Sequence, residues 1–97
     1  MTIISIATSE NVGGFEWRTD PAEAEKQFRV MRGSRGVTKL WHGIDVGDMS
    51  GEEITDYVDS IYWGYAPGIP ADDDGQAAQE KIWGKPARVH TPLGCLA

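Results

Sequence analysis

The sequence predicts an α+β fold: a small three-stranded, mainly antiparallel sheet with two helices in the order β-β-α-β-α, followed by an irregular C-terminal extension. Alternating apolar side chains mark the strands, capped segments of helical periodicity mark the helices, and Pro, Gly and Asp dominate the stretch that follows. We expect a single domain over residues 1–97, with residues 1–65 as its core and residues 66–97 packed on that core. The simplest layering places both helices on one face of the sheet.

Turn residues and alternation predict an N-terminal hairpin and a third strand. Residues 2–8 are rich in Ile and Thr, and a Gly-rich turn separates them from residues 14–18. Phe15 and Trp17 alternate with charged side chains there, as in a half-buried strand. Residues 37–46 alternate as well, with one predicted face formed by Leu40, His42, Ile44 and Val46.

Capping residues predict where each helix begins. Thr19 or Asp20 can cap the first helix, in which Pro21 suits the first position. Ser50 and Glu53 form the sequence pattern of a capping box at the start of the second helix. Apolar residues at helical spacing predict the buried stripes, which are Ala24, Phe28 and Met31 in the first helix and Ile54, Val58 and Ile61 in the second.

Charges of opposite sign are segregated along the chain. Residues 45–80 hold ten carboxylates and no Lys or Arg, whereas residues 26–39 hold five basic side chains and no acid. Surfaces of a single sign attract oppositely charged partners at a distance, so the sequence favours recognition of a basic partner. The net charge of −6 argues against direct binding of nucleic acid, because a duplex binder must neutralise phosphates.

The acidic face of the second helix is the predicted partner-binding surface. Glu52, Asp56 and Asp59 recur at i, i+4 and i+7, a spacing that could imitate the phosphates of a nucleic acid. A solvated helix face that keeps a small protein soluble is the alternative. Tyr65, and after it Trp63, are the expected aromatic anchors. The predicted partner-binding residues are Asp48, Glu52, Asp56, Asp59, Tyr65, Asp72, Asp73 and Asp74.

Catalytic and metal-binding signatures are weak in this sequence. His42, His90 and Cys95 show no ligand spacing typical of a metal site, so we predict no catalytic residue, no metal and no cofactor. We interpret His42 as a hydrogen-bonded histidine of the sheet. Residues 33–36 could form an anion-binding nest. We favour the alternative, in which these residues end the first helix and the arginines neutralise acids within the molecule or in a homodimer.

Cysteine usage and the absence of a targeting segment favour a soluble, cytoplasmic protein that does not bind membranes. Cys95 is the single cysteine, which rules out an internal disulfide. No motif assigns the chain to a family. In its small size, its acidity and its low cysteine content it resembles accessory proteins of phages and mobile elements, anti-CRISPR proteins among them. That resemblance implies inhibition of nucleic-acid machinery by carboxylates presented to a groove meant for DNA or RNA.

These observations lead to one main functional hypothesis and two alternatives. The main hypothesis is a non-enzymatic inhibitor, a nucleic-acid mimic that binds and blocks a basic protein or nucleoprotein complex. The first alternative is an immunity or antitoxin protein that caps a basic nuclease toxin. The second is a small ligand-binding domain or enzyme, which would require a pocket lined by His42 together with carboxylates.

Overall fold

A four-stranded antiparallel sheet and three helices make up the parts of the chain that the computed structural model describes, which are residues 1–9, 14–32, 37–63 and 75–91. The strands are β1 (Thr2–Ser9), β2 (Gly14–Arg18), β3 (Thr38–Gly47) and β4 (Arg88–His90). The helices are α1 (Pro21–Met31), α2 (Gly51–Tyr62) and α3 (Gly75–Trp83). The strand order is β2-β1-β3-β4.

The α+β class is confirmed, but the three-stranded sheet and the two-helix count were wrong. The C-terminal extension supplies both missing elements, α3 and β4. Strand β4 has three residues and pairs with Thr38–Leu40 of β3. A strand of that length shows too little alternation to be detected, so its position depends on its partner β3.

The central strand β1 is buried on both faces, and this overturns the layering with both helices on one face. Ile6 pairs with Trp41 on one face of the sheet, and Ala7 pairs with Leu40 on the other. Helices α2 and α3 cover the first face, with a core of Ile4, Ile6, Trp41, Val46, Ile54, Val58, Ile61 and Trp83. Helix α1 covers the second face, with a core of Ala7, Ala24, Phe28, Met31 and Leu40. The helices therefore lie on opposite faces of the sheet.

Strand β3 changes its alternation at Gly43, where the pairing with β1 is irregular and φ is +75°. An extra residue in one strand reverses which face the following side chains occupy, and Gly adopts positive φ without strain. Ile44 consequently packs in the same core as Trp41 and not beside Leu40. The prediction that Leu40, His42, Ile44 and Val46 share one face is thus wrong, because Leu40 lies on the opposite face of the sheet from Ile44 and Val46.

Both predicted helix starts are present. The Asp20 side chain accepts a hydrogen bond from the Ala22 amide at 2.9 Å and caps α1. Ser50 and Glu53 form the complete capping box of α2, with the Glu53 carboxylate 2.9 Å from the Ser50 amide. These caps satisfy amides that a helix otherwise leaves without partners, so local sequence is sufficient to set where α1 and α2 begin.

Candidate functional site

Helix α2 presents a row of carboxylates to solvent, as the sequence spacing predicts. Glu52, Asp56 and Asp59 are exposed and lie on one flank of the helix, and we call these three residues the acidic row. The buried flank of α2 carries the predicted apolar stripe, joined by Tyr62. The core therefore fixes the orientation of the helix and turns the acidic row outward.

The acidic row has no basic partner within the described part of the chain: no Lys or Arg there forms an ion pair with Glu52, Asp56 or Asp59. Acids in the first turn, such as Glu52, are stabilised by the helix dipole. Asp59 lies in the last turn, where the dipole disfavours a carboxylate. Helix stability alone therefore does not account for the row.

An exposed tryptophan stands at the C-terminal end of the acidic row. Trp63 is 53% exposed, and its indole Nε1 donates to Asp59 Oδ1 at 3.1 Å. Its ring meets the Tyr62 ring edge-on, with centroids 5.0 Å apart. Tyr62 is itself held in place, because its hydroxyl donates to the Ser9 carbonyl at 2.6 Å. Trp63 is thus an oriented aromatic side chain beside a carboxylate, with half its surface open to solvent.

Of the other predicted partner-binding residues, the structure places only Asp48, which lies outside the acidic row. Asp48 is fully exposed before α2, and its carboxylate lies 3.5 Å from the N-terminal ammonium of Met1. Four predicted residues lie outside the described residues, and the structure places none of them: Tyr65, Asp72, Asp73 and Asp74.

The helix of the basic segment and the first helix of the acidic segment lie on opposite faces of the sheet. Helix α1, which carries Lys26 and Arg29 and is capped by Arg32, covers one face of the sheet, and α2 belongs to the core on the other. In the described regions, one ion pair joins the segments: Lys39 Nζ lies 3.5 Å from Glu80 Oε1. The fold therefore leaves the acidic row and the exposed arginines of α1 apart.

A chain of polar side chains connects the sheet to α1. Ser5 Oγ lies 2.7 Å from His42 Nδ1, and His42 Nε2 lies 3.5 Å from Glu25 Oε1. Arg88 Nη1 donates to the other oxygen of Glu25 at 2.8 Å. A neutral His42 protonated on Nε2 can donate to Glu25 and accept from Ser5, so each of these polar side chains has a hydrogen-bond partner. His42 is therefore a hydrogen-bonded sheet histidine, as predicted.

Ser5, His42 and Glu25 are the residue types of a nucleophile–base–acid set, but Ser5 is buried. Ser5 is 2% exposed on the central strand. A substrate carbonyl would have to reach Ser5 Oγ for nucleophilic catalysis, and the packing of β1 under α1 prevents that approach. The arrangement instead ties β1, β3 and β4 to α1.

Removing His42 tests this structural role. We expect His42→Ala to lower the free energy of unfolding by about 1–3 kcal/mol, because it leaves the buried Ser5 hydroxyl without its partner. Urea denaturation measures the change. His90→Ala is the control, because His90 is a half-buried histidine of β4 and should cost less than about 0.5 kcal/mol. Equal costs for the two variants would contradict the role assigned to His42.

An open depression of about 570 Å³ runs along the edge strand β2. Its lining residues are Phe15, Glu16, Trp17, Arg18, Thr19 and Thr55. Trp17 Nε1 donates to Thr55 Oγ1 at 3.0 Å, and Arg18 donates to Glu16 at 2.8 Å. Because its main polar groups already have partners, the depression does not offer the convergent polar groups typical of a ligand site.

Neither a metal cluster nor a membrane-spanning helix is present in the regions that the structure describes. No three His, Cys, Asp or Glu side chains come together there in a way that could hold a metal ion. No helix in those regions is long and apolar enough to cross a membrane. Comparison of the chain with known protein families, with curated proteins and with solved structures found no match.

Proposed function

We propose that the protein is a non-enzymatic inhibitor whose acidic row binds a basic surface of a nucleic-acid-handling protein complex and blocks it by occupancy. The observation that carries the proposal is the row itself: three exposed carboxylates on one helix flank, with no basic partner in the described residues. Carboxylates fixed at helical spacing can take the place of phosphates in a groove lined with Arg. In this proposal the protein acts as a nucleic-acid mimic of the anti-CRISPR or anti-defence type.

Charge alone would give weak binding, so the proposal requires an apolar contact. An exposed ion pair contributes about 0.2–1 kcal/mol, and three such pairs fall well short of the roughly 8 kcal/mol of a micromolar complex. Interfaces obtain most of their binding energy from a few buried aromatic or arginine side chains. Trp63 is suited to that role because it is exposed, oriented and next to Asp59.

The contribution of Trp63 can be measured with a truncation. We expect Trp63→Ala to weaken binding of the partner by about five- to thirtyfold, as the loss of an interface anchor of about 1–2 kcal/mol implies. Isothermal calorimetry with the purified partner measures it. Val30→Ala removes another exposed apolar side chain, which lies on α1, and should leave the affinity unchanged.

Affinity capture from a lysate of the host cell tests the function and identifies the partner. The immobilised protein should retain a nucleic-acid enzyme at low salt and release it at raised salt, because salt screens exposed charges. The nucleic acid that the enzyme binds should then compete with the protein for that enzyme. Capture that salt does not affect, or that nucleic acid does not compete, would contradict the proposal.

The immunity or antitoxin alternative uses the same acidic row and differs in its partner. Its partner would be a basic nuclease toxin encoded next to this chain, whereas an inhibitor of host machinery would bind a protein encoded elsewhere. The identity of the captured protein separates the two.

A further inference from the structure

Strand β4 brings an arginine against the flank of α1, on the side of the sheet away from α2. Arg88 Nη1 donates to Glu25 Oε2 at 2.8 Å, and the Arg88 guanidinium carbon lies 5.4 Å from the centre of the Phe28 ring. These two contacts hold the guanidinium at a defined place beside α1 while 46% of the side chain stays exposed.

Two further arginines extend the same flank. Arg29 and Arg32 follow Glu25 by four and seven residues, so they continue along the side of α1 that faces β4. Both are exposed, and neither forms an ion pair within the described part of the chain. Their charges are therefore available to a partner.

A histidine of β4 lies near the C-terminal end of α1. His90 pairs with Thr38, and the Thr38 hydroxyl donates to the Met31 carbonyl at 3.5 Å. Arg88 and His90 thus lie on the side of β4 next to α1, and Arg29 and Arg32 lie on the flank of α1 next to β4. We call this cluster the basic corner; its residues are Arg29, Arg32, Arg88 and His90.

The acids of α1 cancel only part of the charge of the basic corner: Glu25 pairs with Arg88 and offsets that charge, which leaves Arg29 and Arg32 uncompensated among the described residues. Glu25 is already engaged by Arg88 and His42, and Glu23 pairs with Lys26 at 3.4 Å. Salt screens exposed charges over about 10 Å at 0.1 M, so a ligand at the corner experiences mainly these arginines. The net charge of the whole chain is a poor guide to the local field.

We propose that the basic corner binds the phosphate backbone of duplex nucleic acid, so that the protein contacts both components of a nucleoprotein complex. The proposal deepens the proposed function, on which its reference to a nucleoprotein complex rests. Arg side chains bind phosphate oxygens through planar, paired hydrogen bonds, and three of the four side chains of the corner are arginines.

The chemistry of the corner favours a duplex over a single strand. Single-strand binders stack bases on exposed aromatic rings. The exposed apolar side chain on this part of α1 is Val30, and the aromatic ring present, Phe28, is buried. Contacts would therefore be to phosphates, which position a duplex without reading its sequence.

The test measures anisotropy of a labelled DNA duplex of about 20 base pairs at several salt concentrations, starting near 20 mM. With Arg29 and Arg32 as the two uncompensated arginines, the logarithm of the binding constant should fall with the logarithm of salt concentration with a slope of about −2. Arg29→Ala/Arg32→Ala should weaken binding about tenfold or more and reduce the slope by about two. Changing the duplex sequence should have no effect.

Lys81→Ala/Lys85→Ala is the matched control, because it removes the same charge in and just after α3. It should change the affinity by less than about threefold. Arg29→Lys/Arg32→Lys keeps the charge and the fold but loses the planar guanidinium. Its affinity for the duplex should therefore lie between those of the wild type and of the Ala variant. Circular dichroism verifies the fold of each variant.

The proposal is overturned if the wild type does not bind the duplex at about 20 mM salt and millimolar protein. It is also overturned if Arg29→Ala/Arg32→Ala and Lys81→Ala/Lys85→Ala lose equal affinity. A signal that only reflects association between copies of this chain would overturn it as well. In those cases the arginines only complement the dipole at the end of α1. Asp56→Lys/Asp59→Lys should bind DNA at least as well as the wild type. Failure at the basic corner is therefore distinguishable from failure of the acidic row.

Discussion

Replacing Asp56 and Asp59 with lysine is expected to weaken binding of the basic partner about a hundredfold while leaving the fold intact. The substitution removes two attractive pairs and places two cations against a basic surface; together these cost about 3 kcal/mol. The association rate should account for most of the loss, because exposed charges act mainly by steering the encounter. Surface plasmon resonance at low and raised salt measures both rates.

Glu16→Lys/Glu23→Lys is the matched control for this experiment. It changes the net charge by the same amount, but Glu16 and Glu23 pair with Arg18 and Lys26 on β2 and α1. We expect less than about a threefold loss of affinity. If the control and the acidic-row variant lose affinity equally, net charge and not the acidic row drives binding.

Replacing Trp41 with phenylalanine is expected to lower the free energy of unfolding by about 2–3 kcal/mol. Trp41 is 1% exposed, and its indole Nε1 donates to the Gly84 carbonyl at 2.9 Å. The smaller ring leaves unfilled volume in the core and removes the hydrogen bond that ties the end of α3 to the sheet. Urea denaturation followed by circular dichroism measures the change.

Trp83→Phe provides the comparison, since Trp83 is also buried and meets Trp41 edge-on with centroids 5.1 Å apart. The Trp83 indole nitrogen is buried and has no hydrogen-bond partner among the described residues, so its removal breaks no hydrogen bond to them. We expect Trp83→Phe to cost about 1 kcal/mol less than Trp41→Phe. A larger cost for Trp83→Phe would show that the Trp41–Gly84 bond does not stabilise α3.

Features encoded by neighbouring residues could be predicted from the sequence, and features that depend on distant partners could not. The Ser50 capping box and the apolar stripe of α2 are local patterns, and both are present. The side of the sheet on which α1 lies depends on whether β1 is central, which no residue of α1 encodes. The reversal at Gly43 likewise depends on pairing with β1, because a glycine alone does not distinguish a bulge from a turn.

The same distinction holds for the surfaces. The acidic row comes from helical spacing within α2, so its exposure on one flank could be predicted. The basic corner could not, because Arg88 meets Glu25 across 63 positions of sequence. The sequence favours Tyr65 over Trp63 as the aromatic anchor, because no local sequence pattern shows that Tyr62 packs inward and leaves Trp63 exposed.

The burial of β1 on both faces has a consequence for the newly synthesised chain. Of the four strands described, β1 leaves the ribosome first, yet it occupies the interior of the finished sheet and pairs with β2 and β3. Until β3, which ends at Gly47, has emerged, one edge of this Ile-rich strand has no partner. Such an edge can pair with another chain and aggregate, so the nascent protein is most vulnerable before its third strand appears.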